Sequence, residues 1–162
     1  MSITIEQVDY ERKFVLRHLI ELYNYDFSEF TNDDVNEIGL YDYKYLDNYW
    51  NEPNRYPFFI KVNSKYAGFA LIRKITNDSS NDVYNSMAEF FVMKKYRKMG
   101  VGRIAAINLF GKYKEKWEVS VIKENKDAQI FWKKVICKYS NNNYIENKNE
   151  DGDTIFSFKT TD

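Results

Sequence analysis

Apolar residues recur along this chain with two periods, and the changes of period mark its elements. Ile3, Ile5 and Val8 alternate loosely with polar neighbours over residues 2–8, the two-residue period of a strand. From Tyr10 to about Tyr25, Phe14, Val15, Leu19 and Leu22 recur at helical spacing. A shorter helix is predicted from about Asp42 to Trp50, and Pro53 and Pro57 mark the break after it. Phe58–Val62 and Tyr66–Ile75 are β-rich runs around the polar turn Asn63-Ser64-Lys65, which predicts a hairpin. Val83–Met93 is a third β run. Gly100 and Gly102 then open an apolar helix containing Ile104, Ala105, Ile107 and Phe110. Trp117–Ile122 alternates as a strand, and Asp127–Tyr139 returns to helical spacing through Ala128, Phe131 and Val135. The tail supplies a last pair of strands, about Tyr144–Glu146 and Thr154–Phe158, around Asn149-Glu150-Asp151-Gly152.

The resulting order is β-α-α-β-β-β-α-β-α-β-β. Its middle strand-helix-strand unit predicts a right-handed crossover between parallel strands, with antiparallel hairpins on either side. The expected fold class is therefore α/β: a mixed, mostly antiparallel central sheet of about seven strands with flanking helices. No Pro/Gly/Ser linker and no internal repeat divides the 162 residues, so a single domain over 1–162 is expected.

Composition removes several function classes. The 24 basic side chains balance 24 acidic ones, which argues against a general nucleic-acid binder. No run of about 18 apolar residues exists to span a membrane. The start, MSITIEQVDYERK, lacks an apolar signal core, so a cytoplasmic location is expected. Cys137 is the only cysteine and sits beside Val135 and Ile136, which predicts packing rather than a disulfide or a nucleophile. His18 is the only histidine and has no Cys or His neighbour at metal-ligand spacing, so no metal is expected. The aromatic content of 18% is compatible with a weak homodimer.

Charge is informative only locally. Residues 21–52 are rich in acids, from Glu21 to Glu52, against Lys44 alone. Residues 94–103 carry Lys94, Lys95, Arg97, Lys98 and Arg103 with no acid. This basic run lies between a strand and two glycines at a helix start. The free N–H groups of a helix N-terminus, its dipole and nearby cations together suit a pyrophosphate. A dinucleotide fingerprint would need glycine where Ala105 stands, and a nucleotide P-loop needs Gly-Lys-Ser/Thr, which is absent.

Arg97-Lys98-Met99-Gly100-Val101-Gly102 matches Gln/Arg-x-x-Gly-x-Gly/Ala, the pyrophosphate motif of the GNAT acetyltransferases. Asn125-Lys126-Asp127-Ala128-Gln129-Ile130-Phe131-Trp132 is similar to a second pattern of that family, an Asn followed by Ala and an aromatic pair. The sequence thus resembles the GNAT family over nearly its whole length in element order. The resemblance implies an N-acetyltransferase that moves the acetyl group of acetyl-CoA directly onto an amine, with acetyl-CoA as co-substrate and no metal. It implies that Phe91, Val92 and Met93 offer main-chain groups to the pantetheine and acetyl carbonyl. Arg97, Lys98, Met99, Gly100, Val101, Gly102 and Arg103 would hold the pyrophosphate. Asn125 would bond the pantetheine, and Phe131 and Trp132 would lie along the cofactor.

Two residues are expected to carry proton transfers. Strand parity places Glu89 on one face with Met87, Phe91 and Met93. An alkylamine with a pKa of about 10 must lose a proton before it attacks, so Glu89 is the candidate base. Trp132 stands where many members carry a Tyr acid, and indole cannot replace a phenol there. The candidate for protonating the CoA thiolate is then Tyr144, or else Tyr139, or solvent supplies the proton. The acidic, aromatic segment after Tyr23 points to a cationic amine on a small molecule or peptide. The alternative is a catalytically weak acyl-CoA-binding regulatory module, to which the Trp132 departure lends weight.

Overall fold

The computed structural model describes residues 1–160. Strands β1 (Ile3–Gln7), β2 (Arg55–Val62), β3 (Lys65–Asn77), β4 (Asp82–Val92), β5 (Lys116–Val121), β6 (Tyr144–Lys148) and β7 (Thr154–Lys159) form one sheet. Their spatial order is β1-β2-β3-β4-β5-β7-β6. Every pairing is antiparallel except that of β4 with β5, as the strand-helix-strand unit requires. Helices α1 (Lys13–Thr31), α2 (Asn48–Asn51), α3 (Val101–Lys112) and α4 (Lys126–Tyr139) cover the sheet. No helix among the described residues is long and apolar enough to cross a membrane.

Both faces of the central strands are buried, which is why β2 and β3 read as near-continuous apolar runs. Phe58 and Phe59, neighbours in sequence, go to opposite sides. On one side, Leu16, Leu19 and Ile20 of α1 and Tyr49 of α2 pack on Phe59, Phe69, Leu71 and Phe91. On the other, Leu109, Phe110, Trp132 and Ile136 of α3 and α4 pack on Phe58, Ile72, Met87, Trp117 and Phe158.

Two helices depart from the apolar pattern. The first runs on past Tyr25 to Thr31, and Asn32 ends it in the left-handed conformation at φ 59°, where Asn is tolerated. The helix expected from Asp42 shrinks to the single turn Asn48–Asn51. Asp42 has φ 57°, its N–H bonds Glu21, and its carboxylate takes Arg17 and Asn36. A residue held in that way cannot begin a helix.

Two irregularities shape the middle of the sheet. Leu71 pairs with Glu89 but Ile72 pairs with Met87, so Ala88 is an extra, bulged residue in β4. The bulge breaks the two-residue parity. Met87 faces α3 and α4, while Glu89, Phe91 and Met93 face α1. The expectation that Met87 shares the face of Glu89 is thereby corrected. Beyond Ser86–Glu118, β4 stays with β3 while β5 stays with β7. The two parallel strands therefore part, leaving an opening between residues 87–92 and 119–121.

Candidate functional site

The basic loop lies at the C-terminal end of β4, beside this opening. After the 3-10 turn Lys94–Tyr96, Arg97 is extended, and Lys98 and Gly100 are left-handed at φ 62° and 80°. Ile104 N–H closes the first turn of α3 on Gly100 O. The N–H groups of Val101, Gly102 and Arg103 precede that bond and have no intrahelical acceptor, which is the arrangement that favours an anion. Gly100 has open space where a Cβ would stand, so its backbone conformation is what requires glycine. A Cβ on Gly102 would lie 3.2 Å from Phe131 Cζ, so here it is the close approach of the Phe131 ring that favours glycine.

The cations of the loop divide into two kinds. Lys98 and Arg103 are exposed and have no ion-pair partner among the described residues. Arg97 is otherwise engaged: Nε donates to Val92 O at 2.7 Å, and its guanidinium pairs with Asp26 of α1. It also lies over the Phe91 ring at 5.7 Å. The side chain expected on the pyrophosphate instead ties the end of β4 to α1.

Main-chain direction separates the three residues expected to serve the pantetheine. Met93 N–H donates to Ala67 O at 2.8 Å, and Phe91 O is the atom that a Cβ on Gly68 would meet. Both therefore turn their main chain to β3. Alternation along the strand turns the main-chain groups of Phe90 and Val92 towards the opening, where Arg97 takes the Val92 carbonyl. Phe90 was not anticipated, because ladder direction depends on which partner strand is present.

The second motif is largely structural. Asn125 Oδ1 accepts the N–H of Ala128 at 3.1 Å, so Asn125 caps α4. Phe131 is half-buried, stacked on Phe90 at 6.1 Å and beside Gly102. Trp132 is only 6% exposed and packs on Phe90 at 5.0 Å and Phe131 at 4.9 Å. It belongs to the core, where Phe90 and Phe131 fix its ring. Tyr144 packs 6.2 Å from Phe156 among the residues facing α3 and α4, and Tyr139 packs on Phe110 and Phe158. Glu89 faces α1, so the sheet separates it from Tyr144.

Instead, Tyr23 of α1 meets Glu89, its hydroxyl donating to Oε2 at 2.6 Å. Burial raises the Glu89 carboxyl above the usual range, and hydrogen bonding from Tyr23, with Tyr43 beside it, offsets part of the rise. Burial, then the Glu89 charge, pushes the Tyr23 phenol far above its ordinary value. No cation pairs with Glu89 among the described residues. The acidic segment is partly paired, while Glu29, Asp33, Asp34 and Glu37 are exposed and make no ion pair among the described residues. Asp26 pairs with Arg97 and Lys94, Asp42 with Arg17, Asp47 with Lys13 and Glu52 with Arg55, while Glu21 accepts the N–H groups of Tyr41 and Asp42. Tyr23 lies four residues after Leu19 on the inner face of α1. That spacing signals burial but says nothing about a partner 66 residues away.

Residues 17–136 match the model of the Acetyltransferase (GNAT) family. Among solved structures, a GNAT acetyltransferase from Staphylococcus aureus Mu50 superposes with a TM-score of 0.66 at 16% identity, covering 99% of this chain and 100% of that one. The PaiA N-acetyltransferase of Thermoplasma acidophilum, in complex with coenzyme A, gives 0.64 at 14% identity, covering 98% and 99%. The aminoglycoside acetyltransferase meta-AAC0020 from an uncultured soil metagenomic sample, in complex with sisomicin, gives 0.61 at 22% identity, covering 82% and 86%. No curated protein matches the chain by sequence. The family match spans most of the chain and includes both the opened strand pair and the glycine loop, and the chain belongs to the GNAT acetyltransferase family.

Proposed function

We propose that this protein transfers the acetyl group of acetyl-CoA directly onto an amine that arrives as a cation. The observation that carries this reading is the Glu89 carboxylate: desolvated, held by a phenol, without a cation of its own, on the strand that borders the opening. A buried carboxylate without a countercharge favours either a proton or an incoming cation. An ammonium supplies the countercharge, and Glu89 then takes its proton, directly or through one water, to free the nitrogen lone pair. The attraction is assigned first to Glu89, on the strand that borders the opening. In the acidic segment Asp26, Asp42, Asp47 and Glu52 are already ion-paired, and the exposed Glu29, Asp33, Asp34 and Glu37 add a screened negative field.

The loop residues suit the other substrate. The N–H groups of Val101, Gly102 and Arg103, with the Lys98 and Arg103 side chains, would hold the pyrophosphate of coenzyme A. Val92 N–H in the opening would serve the pantetheine, and the free amide nitrogen of Asn125 and the edge of Phe131 lie on the α4 side. The coenzyme A complex of the Thermoplasma relative and the sisomicin complex of the soil relative support this pairing of a CoA thioester with a polycationic amine.

Thermal unfolding with acetyl-CoA tests the cofactor half. Ligand at about 100 times its dissociation constant adds about 2.7 kcal/mol, which raises the midpoint by roughly 5–10 °C for a domain of this size. The rise should vanish in Gly100→Asp, which places an anion beside the free N–H groups; circular dichroism checks that the variant folds despite the left-handed backbone there. No rise in the parent chain would remove the acyltransferase reading. A rise with no turnover across a panel of amines would favour the regulatory module.

A further inference from the structure

We propose that Tyr23 is a positioning residue for this reaction, its hydroxyl holding the Glu89 carboxylate in the orientation that takes the acceptor's proton. The proposal rests on Glu89 being the base. Its starting point is the bulge at Ala88, which aims Glu89 at α1 and away from the helices on the other face. A glutamate has three free side-chain torsions, and a base must be held at one place to act there. Tyr23 is itself fixed: its ring stacks on Phe27 at 5.3 Å and packs on Phe69 at 5.6 Å and Phe91 at 5.7 Å.

The chemistry of the partner matters as much as its position. An Arg or Lys on Glu89 would weaken it as a base and repel an arriving ammonium. A phenol orients the carboxylate without bringing a positive charge. Burial keeps the Tyr23 phenol protonated, so it remains a donor throughout the working range. The other groups around Glu89 agree with this. Tyr43 approaches from the segment before α2 and Tyr49 from α2. Arg55 of β2 is drawn over the Tyr49 ring at 5.5 Å and pairs with Glu52. The facing residues of β3, Phe69 and Leu71, carry no titrating group, and Arg97 is paired with Asp26.

The test is a pH titration of the full chain labelled with 13C in its glutamate carboxyls, with Glu89→Gln assigning the resonance. Tyr23→Phe keeps the ring and removes the donor. The Glu89 midpoint should then rise by about one pH unit, since about 1.4 kcal/mol, the scale of one charge-assisted hydrogen bond, corresponds to one unit. Phe27→Leu loosens the same aromatic stack without touching the carboxylate and should leave the midpoint in place. With acetyl-CoA and spermidine or kanamycin as probe amines, the acidic limb of kcat/KM should move up in Tyr23→Phe by the same amount. An unmoved Glu89 midpoint in Tyr23→Phe, or an equal movement in Phe27→Leu, would overturn the proposal. Full turnover by Glu89→Gln would instead remove the base role and leave the Tyr23–Glu89 tie standing. The titration decides that tie whether or not these probe amines are acetylated.

Discussion

The glycine loop and the Glu89 pocket border the same strand but are built in opposite ways. The loop is local: eight consecutive residues, 96–103, place its backbone turns, its free N–H groups and its two unpaired lysine and arginine charges. The pocket is assembled from afar: Tyr23 comes from α1, Tyr43 from the following segment and Glu89 from β4. The loop offers backbone N–H groups and exposed charge, so it is open to solvent. The pocket works through desolvation, so it depends on how α1 packs on the sheet.

The sharpest way to break the comparison is to remove the pocket's single charge. Glu89→Gln should lower kcat/KM towards amines by about 10²–10⁴-fold, the range of a general base, while acetyl-CoA still raises the unfolding midpoint. A variant that lost both properties would show that pocket and loop are not separable. Next in size is Trp132→Ala, which empties a core site and should cost about 3–5 kcal/mol of stability by denaturant unfolding. Phe131→Ala, at a half-buried site, should cost less and weaken cofactor binding more. If Trp132→Ala instead left stability intact and lost the cofactor, its assignment to the core would fail.

Smaller effects refine the loop and the charges. Lys98→Met and Arg103→Met should each weaken acetyl-CoA severalfold and reduce the salt dependence of binding, because exposed charges are screened. Arg97→Met should leave the salt dependence nearly unchanged, since its guanidinium is already on Asp26 and its Nε on Val92 O. Isothermal titration at two salt concentrations separates these cases. The smallest effect is on stability against pH. Glu89 in the fold sits above its usual value near 4.5, so the native state binds more protons than the unfolded chain between 4.5 and its folded value. Stability from this group falls as pH rises through that window. Glu6 is the reverse case, held down by hydrogen bonds from Lys61 and then Arg12. Its contribution is present above 4.5 and is lost as pH falls through its folded value. Calorimetry across the acid range should therefore show Glu89→Gln gaining stability towards higher pH and Glu6→Gln losing it.

The order of the elements, the seven-strand count and the parallel pair were legible in the chain, because apolar period and turn residues are local properties. So was the pyrophosphate motif, whose geometry is set by Lys98, Gly100 and the first turn of α3. Gly102 was legible as part of the motif but not for its packing, since Phe131 reaches it from another helix. Parity misplaced Met87 relative to Glu89, because one bulged residue at Ala88 shifts every side chain beyond it and a bulge is a property of two strands together. The packing of Trp132 and Tyr144 was illegible for a related reason: motif spacing places a residue on a helix or strand but not on a side of the sheet.

By itself, then, the sequence determined which segments are strands and helices, where an anion is welcomed, and that a carboxylate stands on the strand before it. Those features follow from interactions within a few residues of one another. Tertiary structure alone decided that Arg97 ties β4 to α1, that Asp26, Asp42 and Asp47 are ion-paired, and that Tyr23 holds Glu89. These depend on desolvation and on contacts across tens of residues, which exist only once the helices have packed on the sheet.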